Sequence, residues 1–92
     1  MKVKLYAVLD SASAVYDGPV PSQTDGVAMR NFINMAKNPD TAVGRNPECF
    51  SLWRVGEWDD ATGVPSTPDG KECLGYAIDL IATEKNGELS EK

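Results

Sequence analysis

The stretch Leu52-Trp53-Arg54-Val55-Gly56-Glu57-Trp58-Asp59-Asp60-Ala61-Thr62-Gly63 decides how this chain is read. From Cys49 onward, Phe50, Leu52, Arg54, Gly56 and Trp58 alternate with Cys49, Ser51, Trp53, Val55 and Glu57, the period of a strand. Neither set is purely apolar, so the period does not say which face is buried. Asp59 to Gly63 predicts a hairpin loop, a type I turn closed by a left-handed glycine at Gly63. Val64 to Thr67 then pairs back only briefly, because Pro65 removes a ladder donor.

Outward from this hairpin the chain keeps the same character. Val3, Leu5, Ala7 and Leu9 alternate with Lys4, Tyr6, Val8 and Asp10, which predicts a first strand with one buried face. Ser11 to Ala14 is a turn. Val15 to Pro21 has room for a short extended piece, and its two prolines argue against a central strand. Ser22-Gln23-Thr24-Asp25 carries two helix-start signals, a hydroxyl followed by an acid three residues on and Thr24 as a cap. Ala28, Phe32 and Ala36, with Met29 and Ile33 beside them, form the apolar stripe of a helix from Asp25 to Lys37. Asn38-Pro39 stops it. Asn38 to Glu48 reads as a polar loop, Pro68 to Lys71 as a turn, and Leu74, Tyr76, Ile78 and Leu80 as alternate positions of a last strand.

The expected fold is therefore α+β: a small, mainly antiparallel sheet with one helix on one face, in the order β-α-β-β-β. Residues 1–82 form a single domain in this reading, and residues 83–92 a flexible acidic tail. A domain of 92 residues buries only about two-thirds of its unfolded surface, which gives a homodimer an energetic motive.

Composition narrows the chemistry. Hydrophobic residues make up 41% of the chain and the formal net charge is −5. The acidic balance weighs against a non-specific coat on duplex DNA, which needs a basic surface to displace counterions. Histidine is absent, so imidazole cannot activate a serine or cysteine nucleophile. Cys49 and Cys73 are too few for a zinc site and read as reduced thiols in a cytoplasm, with a disulfide between two adjacent strands as the alternative. Glu57, Asp59 and Asp60 are the acidic cluster closest to a metal-ion set. Their ordinary task is to stabilise a turn, and neither a metal nor another cofactor is expected. No apolar run reaches the ~20 residues of a membrane span. The expectation is a protein that is not an enzyme.

One face could bind. With strict alternation, Lys4 and Tyr6 share the outward side of the first strand, while Arg54 and Trp58 share a side of the later one. If those sides coincide, two cations and two aromatic rings form a platform for single-stranded DNA. Bases stack on rings for roughly 1–3 kcal/mol each, and cations hold the phosphates. Two other readings stand beside it: Trp53 or Trp58 belongs to the core, or the aromatics bury against another subunit.

Several separated pieces carry a family resemblance. They are Lys2-Val3-Lys4-Leu5-Tyr6-Ala7-Val8-Leu9-Asp10-Ser11, the helix start from Pro21 to Phe32, the run from Asn46-Pro47-Glu48 through Phe50 to Gly63, and Leu74-Gly75-Tyr76-Ala77-Ile78. In order and spacing the chain resembles the small non-structural protein of gokushoviruses, Microviridae phages with circular single-stranded DNA genomes. The resemblance implies a bacteriophage protein of the host bacterial cytoplasm that assists viral single-stranded DNA replication. The alternative is a protein–protein adaptor that contacts the viral replication initiator or a host replication protein without touching DNA.

Overall fold

The computed structural model describes residues 2–85. Strand β1 (Lys2–Asp10) turns directly into β2 (Val15–Ser22), and helix α1 (Asp25–Ala36) follows. A short helix α2 (Ala42–Arg45) and a 3₁₀ turn (Pro47–Cys49) lead into β3 (Phe50–Asp59). Strands β4 (Val64–Ser66) and β5 (Glu72–Tyr76) come next, then helix α3 (Ala77–Lys85). The sheet runs β2-β1-β3-β4, with β5 also paired to β3. Every pairing is antiparallel.

The α+β class and the antiparallel sheet agree with expectation. The element count does not, because the described residues hold three helices rather than one. The extended piece at Val15 is a full strand. It lies at the sheet edge, where the missing donors of Pro19 and Pro21 are tolerated. The loop after α1 winds into α2, capped by Thr41, whose Oγ1 accepts from the Gly44 N–H at 2.9 Å.

The largest correction concerns the last strand. The extended run ends at Tyr76, one residue after Gly75 with its positive φ (151°), and the chain turns into α3. Ala77 and Leu80 are buried at helical spacing, with Ile81 packed against them. Alternation of Ile78 and Leu80 suits a strand equally well over so few residues, and packing decides between the two. Residues 83–85, assigned to a flexible tail, belong to α3; the rest of that tail lies outside the described residues.

Thr24 caps α1 as its hydroxyl chemistry predicts, accepting from the Val27 N–H at 3.1 Å. The apolar stripe of α1 then lands on the sheet. Tyr6, Ala28, Phe32, Ile33, Ala36, Val43, Leu52, Ala77 and Leu80 make one core cluster. All the helices named in it are on one side of the sheet. The opposite side carries no helix among the described residues.

Candidate functional site

An extra residue in the β1–β3 ladder sets which side chains meet. Between β1 and β3, Leu5 pairs with Gly56 but Tyr6 pairs with Arg54, leaving Val55 over. Such a bulge shifts alternation by one. Trp53 and Trp58 would fall on opposite faces of an unbroken strand. Trp53 pairs with Ala7 and Trp58 with Val3, both odd positions of β1, so the two indoles share the helix-free face. Tyr6, Arg54, Glu57 and Lys4 take the other face.

The anticipated platform therefore divides. Tyr6 is 3% exposed, a core side chain facing α1 rather than an outward ring. Its hydroxyl donates to Asp25 Oδ1 at 2.6 Å. Burial, with help from that hydrogen bond and the Asp25 charge, pushes the phenol well above its ordinary pKa. Arg54 donates to Asp25 Oδ2 at 2.5 Å and also to Glu72. It is a structural cation that ties α1 and β5 to β3, with its charge matched by two carboxylates. Lys4 lines a polar hollow with Arg54, Glu57 and Asp69. Trp58 alone of the four is on the open face, and it is 37% exposed. Strict period two missed this division because a bulge leaves no mark in the pattern beyond Gly56.

The open face has its own ring cluster. Tyr16 of β2 pairs with Leu9, Leu9 with Ser51, and Ser51 with Tyr76, a row across four strands. The Trp53 indole donates from Nε1 to Ser51 Oγ at 2.9 Å, which seals the serine beneath it. Tyr16 meets Trp53 edge to face, with ring centroids 5.9 Å apart, a favoured aromatic geometry. Lys71 Nζ donates to the Tyr16 hydroxyl at 2.7 Å. It lies 4.6 Å from the Tyr16 centroid and 5.2 Å from that of Trp53, within cation–π range. Tyr16 and Tyr76 both keep substantial exposure. Sequence reasoning missed Tyr16 and Lys71, since they come from a proline-rich strand and a turn; Tyr16 carries only its own aromatic ring as a signal, and nothing local marks Lys71.

The hairpin forms as expected. Gly63 has φ 72° and its N–H reaches Asp59 O at 2.8 Å. Asp59 Oδ1 accepts from the Ala61 N–H at 2.9 Å, and that bond holds its carboxyl below the ordinary range. Among the described residues no group of histidine, cysteine or acidic side chains converges to hold a metal. Cys49 and Cys73 are free thiols, Cys73 exposed. None of the described helices is long and apolar enough to cross a membrane.

These features define a small α+β protein whose antiparallel sheet is packed by helices on one side and lined with aromatic rings on the other. The sequence model of the Phage ORF5 protein family matches residues 3–80. The chain belongs to that family and is a phage protein. No curated protein and no solved structure matches it.

Proposed function

We propose that this chain is a non-structural accessory factor of a gokushovirus-type member of the Microviridae, acting in the host bacterial cytoplasm to assist single-stranded DNA replication. In this reading it holds single-stranded DNA weakly on the open face of the sheet. Trp53, Tyr16, Tyr76 and Trp58 offer rings for bases, and Lys71 offers the cation for a phosphate. The supporting observation is the Lys71 ammonium poised beside two rings, 4.6 and 5.2 Å from their centroids. An arriving strand exchanges that cation–π contact for a phosphate and takes the indole face for a base. The net charge of −5 keeps the affinity low and suits transient contact. The role is non-enzymatic and calls for no cofactor.

Titration of fluorescein-labelled oligo-dT at low and moderate salt tests this reading. Trp53→Ala is expected to weaken binding about tenfold, within the ~1–3 kcal/mol range of one stacked base. Lys71→Ala should weaken it less and flatten the salt dependence. Absence of any binding by the wild-type protein at low salt removes the mechanism.

An adaptor function is the second reading, favoured by an apolar groove on the helix side, lined by Val15, Val20, Met35 and Phe50. Here the chain contacts the viral initiator or a host replication protein and leaves DNA alone. Recovery of a tagged copy from infected cells, with and without nuclease, separates the two: a partner that survives nuclease supports the adaptor. A homodimer fits either reading, with the outer edge of β5 available for a second copy.

A further inference from the structure

Helix α1 runs beside β2 without sealing it, and all but the last of the residues of β2 are exposed. The inward row of β2 is nevertheless apolar. Val15 pairs with Asp10 and Val20 with Tyr6, which sets both on the helix side of the sheet. They remain 59% and 61% exposed. Met35 of α1 faces the same gap and is exposed as well. Two hollows that share Val8, Asp17, Val20 and Met35 fill the space between β2 and α1. The larger encloses about 490 Å³ and reaches Val43 and Phe50 at the core margin.

We propose that this groove docks a short amphipathic helix of a partner protein, one whose apolar anchors are flanked by lysine or arginine. Charge argues for the flanks. The charged side chains lining the two hollows are Asp10 and Asp17, both carboxylates, on a chain of net charge −5. Such a rim attracts cations and repels acidic partners. Backbone chemistry argues for a helix over an added strand. Strand addition needs a ladder of free N–H groups, and Pro19 and Pro21 supply none while the register of β2 slips beside Gly18. Side-chain packing is the remaining mode.

Length agrees. From Val15 to Val20 the wall of β2 spans about 16 Å at ~3.3 Å per residue. Helix anchors at i, i+4 and i+7 span about 10 Å at 1.5 Å per residue, which the groove accepts with room for a flanking cation. A second copy in this groove is disfavoured, since a two-fold contact would set Asp10 and Asp17 against themselves. The inference gives the adaptor reading a site and stands apart from single-strand binding, which uses the opposite face.

Fluorescence anisotropy tests it with two labelled synthetic helices that share leucines at i, i+4 and i+7. One carries lysines at all polar positions, the other glutamates. The lysine peptide is expected to bind and the glutamate peptide not. The double substitution V20N/M35Q, at exposed positions that spare the core, should weaken the lysine peptide at least about tenfold. Asp17→Asn should weaken it about threefold at low salt, while Tyr16→Ala on the far face leaves it unchanged. Circular dichroism confirms that each variant is folded. Equal binding of both peptides, no binding of the lysine peptide, or full binding by V20N/M35Q overturns the proposal. A wild-type dimer by light scattering that V20N/M35Q converts to monomer also overturns it, by showing the groove filled by a second copy. These outcomes leave the nuclease experiment independent, so failure of the docking site and failure of the adaptor reading are told apart.

Discussion

Tyr6 links the sheet to the helix start, and its phenol is the group most displaced by folding. Burial first, then the hydrogen bond to Asp25, raise its pKa. An unfolded tyrosine ionises near pH ~10. Below that value both states keep the proton and the full stabilisation is present. As pH rises past it, the unfolded chain loses its proton first, so stability falls until the folded phenol also ionises. Urea denaturation is expected to show this loss above about pH 10 in the wild type and a smaller one in Tyr6→Phe. At neutral pH that variant should be less stable by about 1.5 kcal/mol, the loss of a hydrogen bond to a charged acceptor. Gly56 is constrained differently. A Cβ there would lie 2.5 Å from Ser66 O, a backbone atom. Gly56→Ala is expected to destabilise by about 1–3 kcal/mol, read from the urea midpoint.

At the scale of elements, α3 and the β3 bulge carry the consequences. Were residues 74–80 one strand, Ile78 and Leu80 would share a face and matter alike. In α3, Leu80 is 8% exposed and Ile78 is 47% exposed. Leu80→Ala is therefore expected to destabilise by about 2–5 kcal/mol, and Ile78→Ala by no more than about 0.5 kcal/mol, as thermal or urea unfolding would show. The bulge at Val55 has the larger functional effect. By adding one residue to β3 it moves Trp58 to the side of Trp53 and away from that of Arg54. Arg54→Ala is thus expected to lower stability, by about 2 kcal/mol for two charge-assisted hydrogen bonds on a partly exposed network. Loss of oligonucleotide binding in that variant without loss of stability would contradict the pairing described for Arg54.

For the molecule as a whole, the decisive quantity is a net charge of −5 with one lysine set among the rings of the open face. A single phosphate contact gives a salt slope of about −0.7 for single strands. Between 20 and 150 mM salt, affinity for oligo-dT is expected to fall only about fourfold. A much steeper slope would mean that several cations are engaged and that the contact lies elsewhere.

Local chemistry was enough to read the first strand, the Thr24 cap and the stripe of α1, the Gly63 hairpin, the brevity of β4, and the α+β class. Each rests on period, capping or turn geometry, which neighbouring residues set among themselves. The candidate site was legible only in part: an aromatic face beside a cation was foreseen, and of its named residues Trp58 alone lies there. Tyr6 and Arg54 face inward because the helices pack on the side of Val8 and Leu52; Trp58 parts from them because Val55 has no partner in β1, and no local pattern records a ladder slip. Tyr16 and Lys71, far apart in the chain, meet at Trp53 only when β2 folds back along β1. Period and capping act within a few residues, whereas register and packing are settled between segments, and that difference in range is why tertiary structure alone decided which rings face water.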